Sequence, residues 1–125
     1  MPRRPAKVLI VEDDEDMRLV YSHWLRGSGC EVTEAGDGAT AIEIIDAGAV
    51  PDVIVLDLML PTLDGVAVWN ELAARTDTAR IPVIVVTAST GDLSDLNVTS
   101  ILRKPVTSES LVAAVRSAAL NAQHF

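Results

Sequence analysis

Val8-Leu9-Ile10-Val11, Val53-Ile54-Val55-Leu56, residues 81–86 and Ile101-Leu102 are apolar runs without polar alternation. A strand with one wet face alternates. A short unbroken run rich in Val and Ile is instead buried on both faces, as in a parallel sheet covered by helices. Parallel neighbours need a long crossover, usually a helix. The runs therefore constrain the chain to an α/β fold. Each run also ends at, or just before, a residue with chemistry: Glu12-Asp13, Asp57, Thr87 and Lys104-Pro105. The carboxyl ends of the strands of an open parallel sheet form the crevice where ligands sit.

The spacing predicts strands at Lys7–Val11, 31–34, Val53–Asp57, Val83–Thr87 and 101–103. Helices are expected over 14–26, 39–47, from Asp64 to about 75, and from Thr107 or Ser108 onward. Met17, Val20, Tyr21 and Trp24 should form the inward face of the first helix, and Ala41, Ile44 and Ile45 that of the second. Val68 and Leu72, then Leu111, Val115 and Ala118, should do the same for the later two. Gly27, Gly29 and Gly48 are placed to stop helices. Residues 89–100 should hold a crossover helix, yet they offer only Leu93, Leu96 and Val98 among poor helix formers such as Gly91, Asp92 and Asn97. A single turn or an irregular loop is expected there. The tail, 121–125, is expected to fray.

With 125 residues, 49% of them apolar, the chain can bury one real core and is too short for two typical domains. A single domain over 1–125 with an ordered core of about 6–120 follows. The net charge of −8 argues against direct nucleic-acid binding, which wants a basic face. Cys30 is the only cysteine, so no internal disulfide forms, and it reads as a small buried residue. Met1-Pro2-Arg3-Arg4-Pro5 lacks a signal-peptide stretch, and no apolar run is long enough for membrane insertion. A cytoplasmic protein is predicted.

Three carboxylates gathered at one sheet edge repel one another, so a cation belongs to the arrangement. Asp57, at a strand end among buried residues, is placed to attack phosphorus and form an acyl phosphate. It must stay ionised, and Glu12 and Asp13 oppose that. Magnesium resolves the conflict: it takes oxygen ligands, keeps several waters and needs only one or two carboxylates. Lys104 can offer a point charge to the moving phosphoryl oxygens, and Thr87 a hydroxyl hydrogen bond. Asp14, Glu15 and Asp16 also read as favourable charges at a helix N-terminus. Trp24 and Trp69 read as packing residues, and His23 and His124 as surface residues without metal-ligand spacing.

The strings VLIVEDDEDMR, PDVIVLDLMLPTLDG, IPVIVVTAST and LRKPVTSESL, in this order, resemble the receiver domain of two-component response regulators over nearly the whole chain. The resemblance implies a flavodoxin-like, doubly wound, five-stranded parallel sheet of strand order 2-1-3-4-5. It implies Asp57 as phosphoacceptor and Glu12 and Asp13 as the acidic pair, with Asp13 the more direct magnesium ligand. Met59 would add its backbone carbonyl to the metal, Thr87 would be the switch hydroxyl and Lys104 the phosphate-binding lysine. The Lys104–Pro105 bond would be cis. The implied partners are a sensor histidine kinase or histidine phosphotransfer protein, and a downstream protein target. Such a domain is a switch that assists its own phosphorylation and dephosphorylation, not an enzyme with a turnover substrate.

Two departures stand out. Ile101 takes the place of the family's common aromatic residue three before the lysine. The stretch from Thr87 to Lys104 is shorter than usual by a turn or more of helix, so the fourth helix should be short or absent. A phosphorylation-independent interaction module with a vestigial pocket is therefore the alternative. An aspartate-nucleophile phosphohydrolase fits less well, because Met59 stands where such an enzyme would place its general acid. Met1 lies just before the first strand, which favours a stand-alone protein or an N-terminal receiver.

Overall fold

A computed structural model describes residues 4–58, 65–89, 91–94 and 96–122. Five parallel strands form one sheet in the order β2-β1-β3-β4-β5. They are β1 (Lys7–Val11), β2 (Glu31–Ala35), β3 (Val53–Asp57), β4 (Val83–Thr87) and β5 (Ser100–Arg103). The helices are α1 (Glu15–Gly27), α2 (Gly38–Asp46), α3 (Gly65–Ala74) and α4 (Ser108–Ala122). This is the flavodoxin-like doubly wound arrangement that the sequence implied.

The unalternating runs became the central strands. Every residue of β3 and β4 is buried, whereas edge strands β2 and β5 are only partly covered. Successive side chains point to opposite faces, so the runs feed two cores. Leu9, Val11, Ile54, Leu56, Val83 and Val85 pack with Ala41 and Ile45 of α2 and Val68 and Leu72 of α3. Val8, Ile10, Val53, Val55, Ile84 and Val86 pack with Tyr21 and Leu25 of α1 and Leu111, Val115 and Ala118 of α4.

The inward face of α1 differs from the one expected. Tyr21, Ser22 and Leu25 are buried and Met17 and Trp24 half-buried, but Val20 is 38% exposed. Leu25 lies one turn beyond Tyr21 and fixes the buried stripe, and Val20 is turned about 100° away from Tyr21 toward solvent. Ile44 and Cys30 are likewise only half-buried. Both early helices end in a Schellman motif. In α1, Gly29 (φ 98°) donates to the Arg26 carbonyl and Cys30 to that of Leu25, both at 3.0 Å. In α2, Gly48 (φ 97°) donates to Ile45 at 3.0 Å and Ala49 to Ile44 at 3.2 Å.

Between β4 and β5 there is no helix among the described residues. One turn forms where Leu96 donates to the Leu93 carbonyl at 3.0 Å, and Asp92 accepts from the Ser94 amide at 2.9 Å. Leu93, Leu96 and Val98 pack on the α2–α3 face, as does Ile101. The expected helix cap Asp64 and the expected surface residue His124 lie outside the described residues.

Candidate functional site

The site lies at the carboxyl ends of β1, β3, β4 and β5. Glu12 directly follows β1, and its amide donates to the Ala35 carbonyl at 3.1 Å, continuing the sheet by one residue. Its carbonyl accepts from Arg18 Nη1 at 2.8 Å, and Arg18 also pairs with Glu34 at 3.3 Å. Glu12 is 2% exposed, while Asp13 beside it faces solvent. Asp14 caps α1: its carboxylate accepts from the amides of Asp16 at 3.0 Å and Met17 at 3.2 Å.

Asp57 ends β3 and is 4% exposed. The start of α3 presses against it, with the Gly65 amide donating to the Leu58 carbonyl at 2.9 Å. Thr87, fully buried, ends β4 one residue past Val86, the register partner of Asp57. The Thr87 carbonyl accepts the Lys104 amide at 2.8 Å, which sets the lysine at the same edge of the sheet. The Lys104–Pro105 bond is cis, as the resemblance implied.

Ligand oxygens of Glu12, Asp13 and Asp57 all lie within 4.8 Å of one another. Lys104 Nζ bridges two of the acids, at 2.8 Å from Glu12 Oε1 and 3.1 Å from Asp57 Oδ2. One ammonium thus faces three carboxylates. Burial pushes the Glu12 carboxyl up to about 7; the bond from Lys104 opposes this and the adjoining Asp57 reinforces it. Burial alone would lower the Lys104 pKa, but its hydrogen bonds to Glu12 and Asp57 outweigh that and raise it. The cluster is short of positive charge. Its spacing suits a small hard cation, since magnesium–oxygen bonds of about 2.1 Å put opposite ligands about 4.2 Å apart.

The structure thus brings Glu12, Asp13, Asp57 and Lys104 together and sets Thr87 at the adjoining strand end. Met59, whose carbonyl was the further metal ligand implied, lies outside the described residues. Sequence reasoning passed over Arg18 and Arg103. Arg18 holds the Glu12 backbone from six residues away, and Arg103 donates to the carbonyls of Ser89 and Gly91. Neither spacing belongs to a sequence pattern that marks such contacts.

Residues 8–116 match the sequence profile described as the response regulator receiver domain. The sensory transduction protein RegX3 of Mycolicibacterium smegmatis is 37% identical over 118 residues, covering 90% of this chain and 50% of the relative. Response regulator MprA of a Mycobacterium species is 34% identical over 118 residues, with the same coverage of 90% and 50%. This chain therefore spans about half the length of these curated relatives. Among solved structures, the chemotaxis response regulator CheY4 of Vibrio cholerae superposes with a TM-score of 0.83 at 28% identity, covering 91% of this chain and 98% of that one. A response regulator receiver domain protein from Clostridium thermocellum gives a TM-score of 0.82 at 27% identity, with coverage of 93% and 95%. With the profile spanning most of the chain, and the fold and acidic edge in agreement, this protein belongs to the response regulator receiver domain family of two-component systems, whose members are signalling switches rather than classical enzymes.

Proposed function

We propose that residues 1–125, with an ordered core of about 6–120, form a receiver domain that takes a phosphoryl group onto Asp57. The observation carrying this reading is the convergence of Glu12, Asp13 and Asp57 within 4.8 Å, with Lys104 bridging Glu12 and Asp57. The donor is the phosphohistidine of a sensor kinase or of a histidine phosphotransfer protein. An oxygen of Asp57 forms the new bond to phosphorus, the N–P bond of the donor breaks, and the electron pair returns to the imidazole. Burial holds the Asp57 carboxylate in a fixed position, which is what an in-line attack requires.

Lys104, already against Asp57 Oδ2, moves its charge to the arriving phosphoryl oxygens. Thr87 offers its hydroxyl to one of them. Asp13, Asp57 and Glu12, with the Met59 carbonyl, would hold Mg2+, the donor set being all oxygen and rich in carboxylate. When bound, the ion neutralises the crowded acids and the charge of the phosphoryl group. The modified Asp57 biases a two-state equilibrium and changes what the surface binds, the output being contact with another protein. Acetyl phosphate with magnesium should add one phosphoryl mass to the protein, and Asp57→Asn should remove that adduct. An adduct of the same yield in Asp57→Asn defeats the assignment.

Ile101, and the absence of a helix among the described residues after β4, favour a second reading, an interaction module that works without phosphorylation. Partner binding unchanged by beryllofluoride and magnesium would select it.

A further inference from the structure

Arg103 lies directly before Lys104 in β5, and its register partner in β4 is Thr87. One guanidinium nitrogen donates to the Ser89 carbonyl, and the other to the Gly91 carbonyl at 3.0 Å. Ser89 in turn donates its backbone N–H to Thr87 Oγ1 at 3.1 Å, and its own hydroxyl oxygen accepts the Gly91 amide at 3.1 Å. These bonds form a connected path from an exposed guanidinium to a fully buried hydroxyl.

The path goes with the absence of a helix between β4 and β5 among the described residues. In a full crossover helix, carbonyls in this stretch would be bonded within the helix. Here a side chain supplies the donors. The planar fork of arginine suits two neighbouring carbonyl oxygens, whereas a lysine is a single point donor on a flexible stem. The far end of the path matters for chemistry. A hydroxyl oxygen that accepts from a fixed N–H is itself fixed, while its own hydrogen stays free to donate elsewhere.

We propose that Arg103 is a positioning residue for Thr87: it pins the carbonyls of Ser89 and Gly91, Ser89 N–H pins Thr87 Oγ1, and the Thr87 hydroxyl is thereby held ready to donate to a phosphoryl oxygen on Asp57. The inference rests on the phosphoacceptor reading of Asp57. It places the coupling between the site and the loop after β4 in an arginine fork, at the edge where Ile101 offers only an aliphatic side chain.

The test compares Arg103→Ala and Arg103→Lys, each alone and combined with Thr87→Ala. Two quantities are read: rates of phosphorylation by acetyl phosphate with magnesium and of acyl-phosphate hydrolysis, and amide exchange at Ser89 in untreated protein. Arg103→Ala should slow both rates about three- to tenfold, the worth of one or two net hydrogen bonds. It should also speed Ser89 amide exchange about tenfold as the local opening becomes easier. Arg103→Lys keeps the charge but not the fork and should fall between. In the Thr87→Ala background, Arg103→Ala should have no further effect on the rates, since the two residues act through one hydroxyl.

Equal slowing in both backgrounds overturns the proposal, as does a lysine variant that matches the wild type, because charge and not the fork would then be at work. If the unmutated protein takes up no phosphoryl group, the phosphoacceptor reading falls by itself. The exchange measurement then decides the clamp, and unchanged Ser89 protection in Arg103→Ala refutes it.

Discussion

A Cβ placed on Gly65 would lie 2.3 Å from the Leu58 Cα and 2.4 Å from the Asp57 carbonyl oxygen. Both are backbone atoms, so no rotamer change relieves the clash. Either α3 backs away or the end of β3 shifts, and the end of β3 carries Asp57. Gly65→Ala should therefore cost about 1–3 kcal/mol of stability, the range for overpacking a filled site. It should also slow phosphorylation by about tenfold or more, since displacing a reacting group by even 1 Å is expensive. Urea unfolding and acetyl phosphate labelling measure the two effects, and a variant with wild-type labelling would show that Asp57 does not depend on this approach. The sequence does not reveal the contact at Gly65, because close approach between elements is a tertiary fact. The favourable charge expected of Asp14 at the helix N-terminus takes the form of a cap, its carboxylate accepting from the first amides of α1.

At the scale of elements, β1, β3 and β4 have the bounds the apolar runs predicted, because burial on both faces leaves no polar position inside them. The edge strands were less legible. β2 extends to Ala35 and β5 begins at Ser100, where pairing with the neighbouring strand decides the length. The face of α1 was misjudged by one residue because periodicity gives a stripe but not its centre; contact with the sheet and α4 chose Leu25 over Val20. The stretch after β4 was legible through what it lacked. Three apolar anchors and a single turn give few protected amides, and low local contact density means cheap local opening. Amides in 91–94 and 96–98 should exchange about a hundredfold faster than those of Val83–Thr87. Protection there equal to that of α3 would mean a stable helix and contradict the architecture. If signalling leaves the domain along this edge, beryllofluoride with magnesium should slow exchange at Ser89 and Ile101 and leave β1 unchanged.

At the scale of the whole molecule, a net charge of −8 is held together with three carboxylates converging at one pole of the sheet and one lysine answering two of them. The convergence was readable from the chain, since strand ends of one parallel sheet must share an edge. That Glu12 would be the buried acid was not, because its side-chain partner Lys104 comes from 92 residues away. This burial has a definite consequence for pH. Glu12 has a folded-state pKa of about 7, above its ordinary value of 4.5, so the folded protein binds more protons than the unfolded chain between those values. Stability should then fall as pH rises from about 4.5 to 7, by a few kcal/mol at most. Magnesium acts with the opposite sign. It requires ionised carboxylates, so its uptake should release a proton near neutrality, and the stabilisation it confers should be larger at pH 8 than at pH 6. Thermal melts at both pH values, with and without magnesium, measure this directly, and Glu12→Gln should flatten the metal-free pH dependence. A magnesium effect of equal size at both pH values would mean that Glu12 does not titrate against the ion, and that the crowded acids are relieved by Lys104 alone.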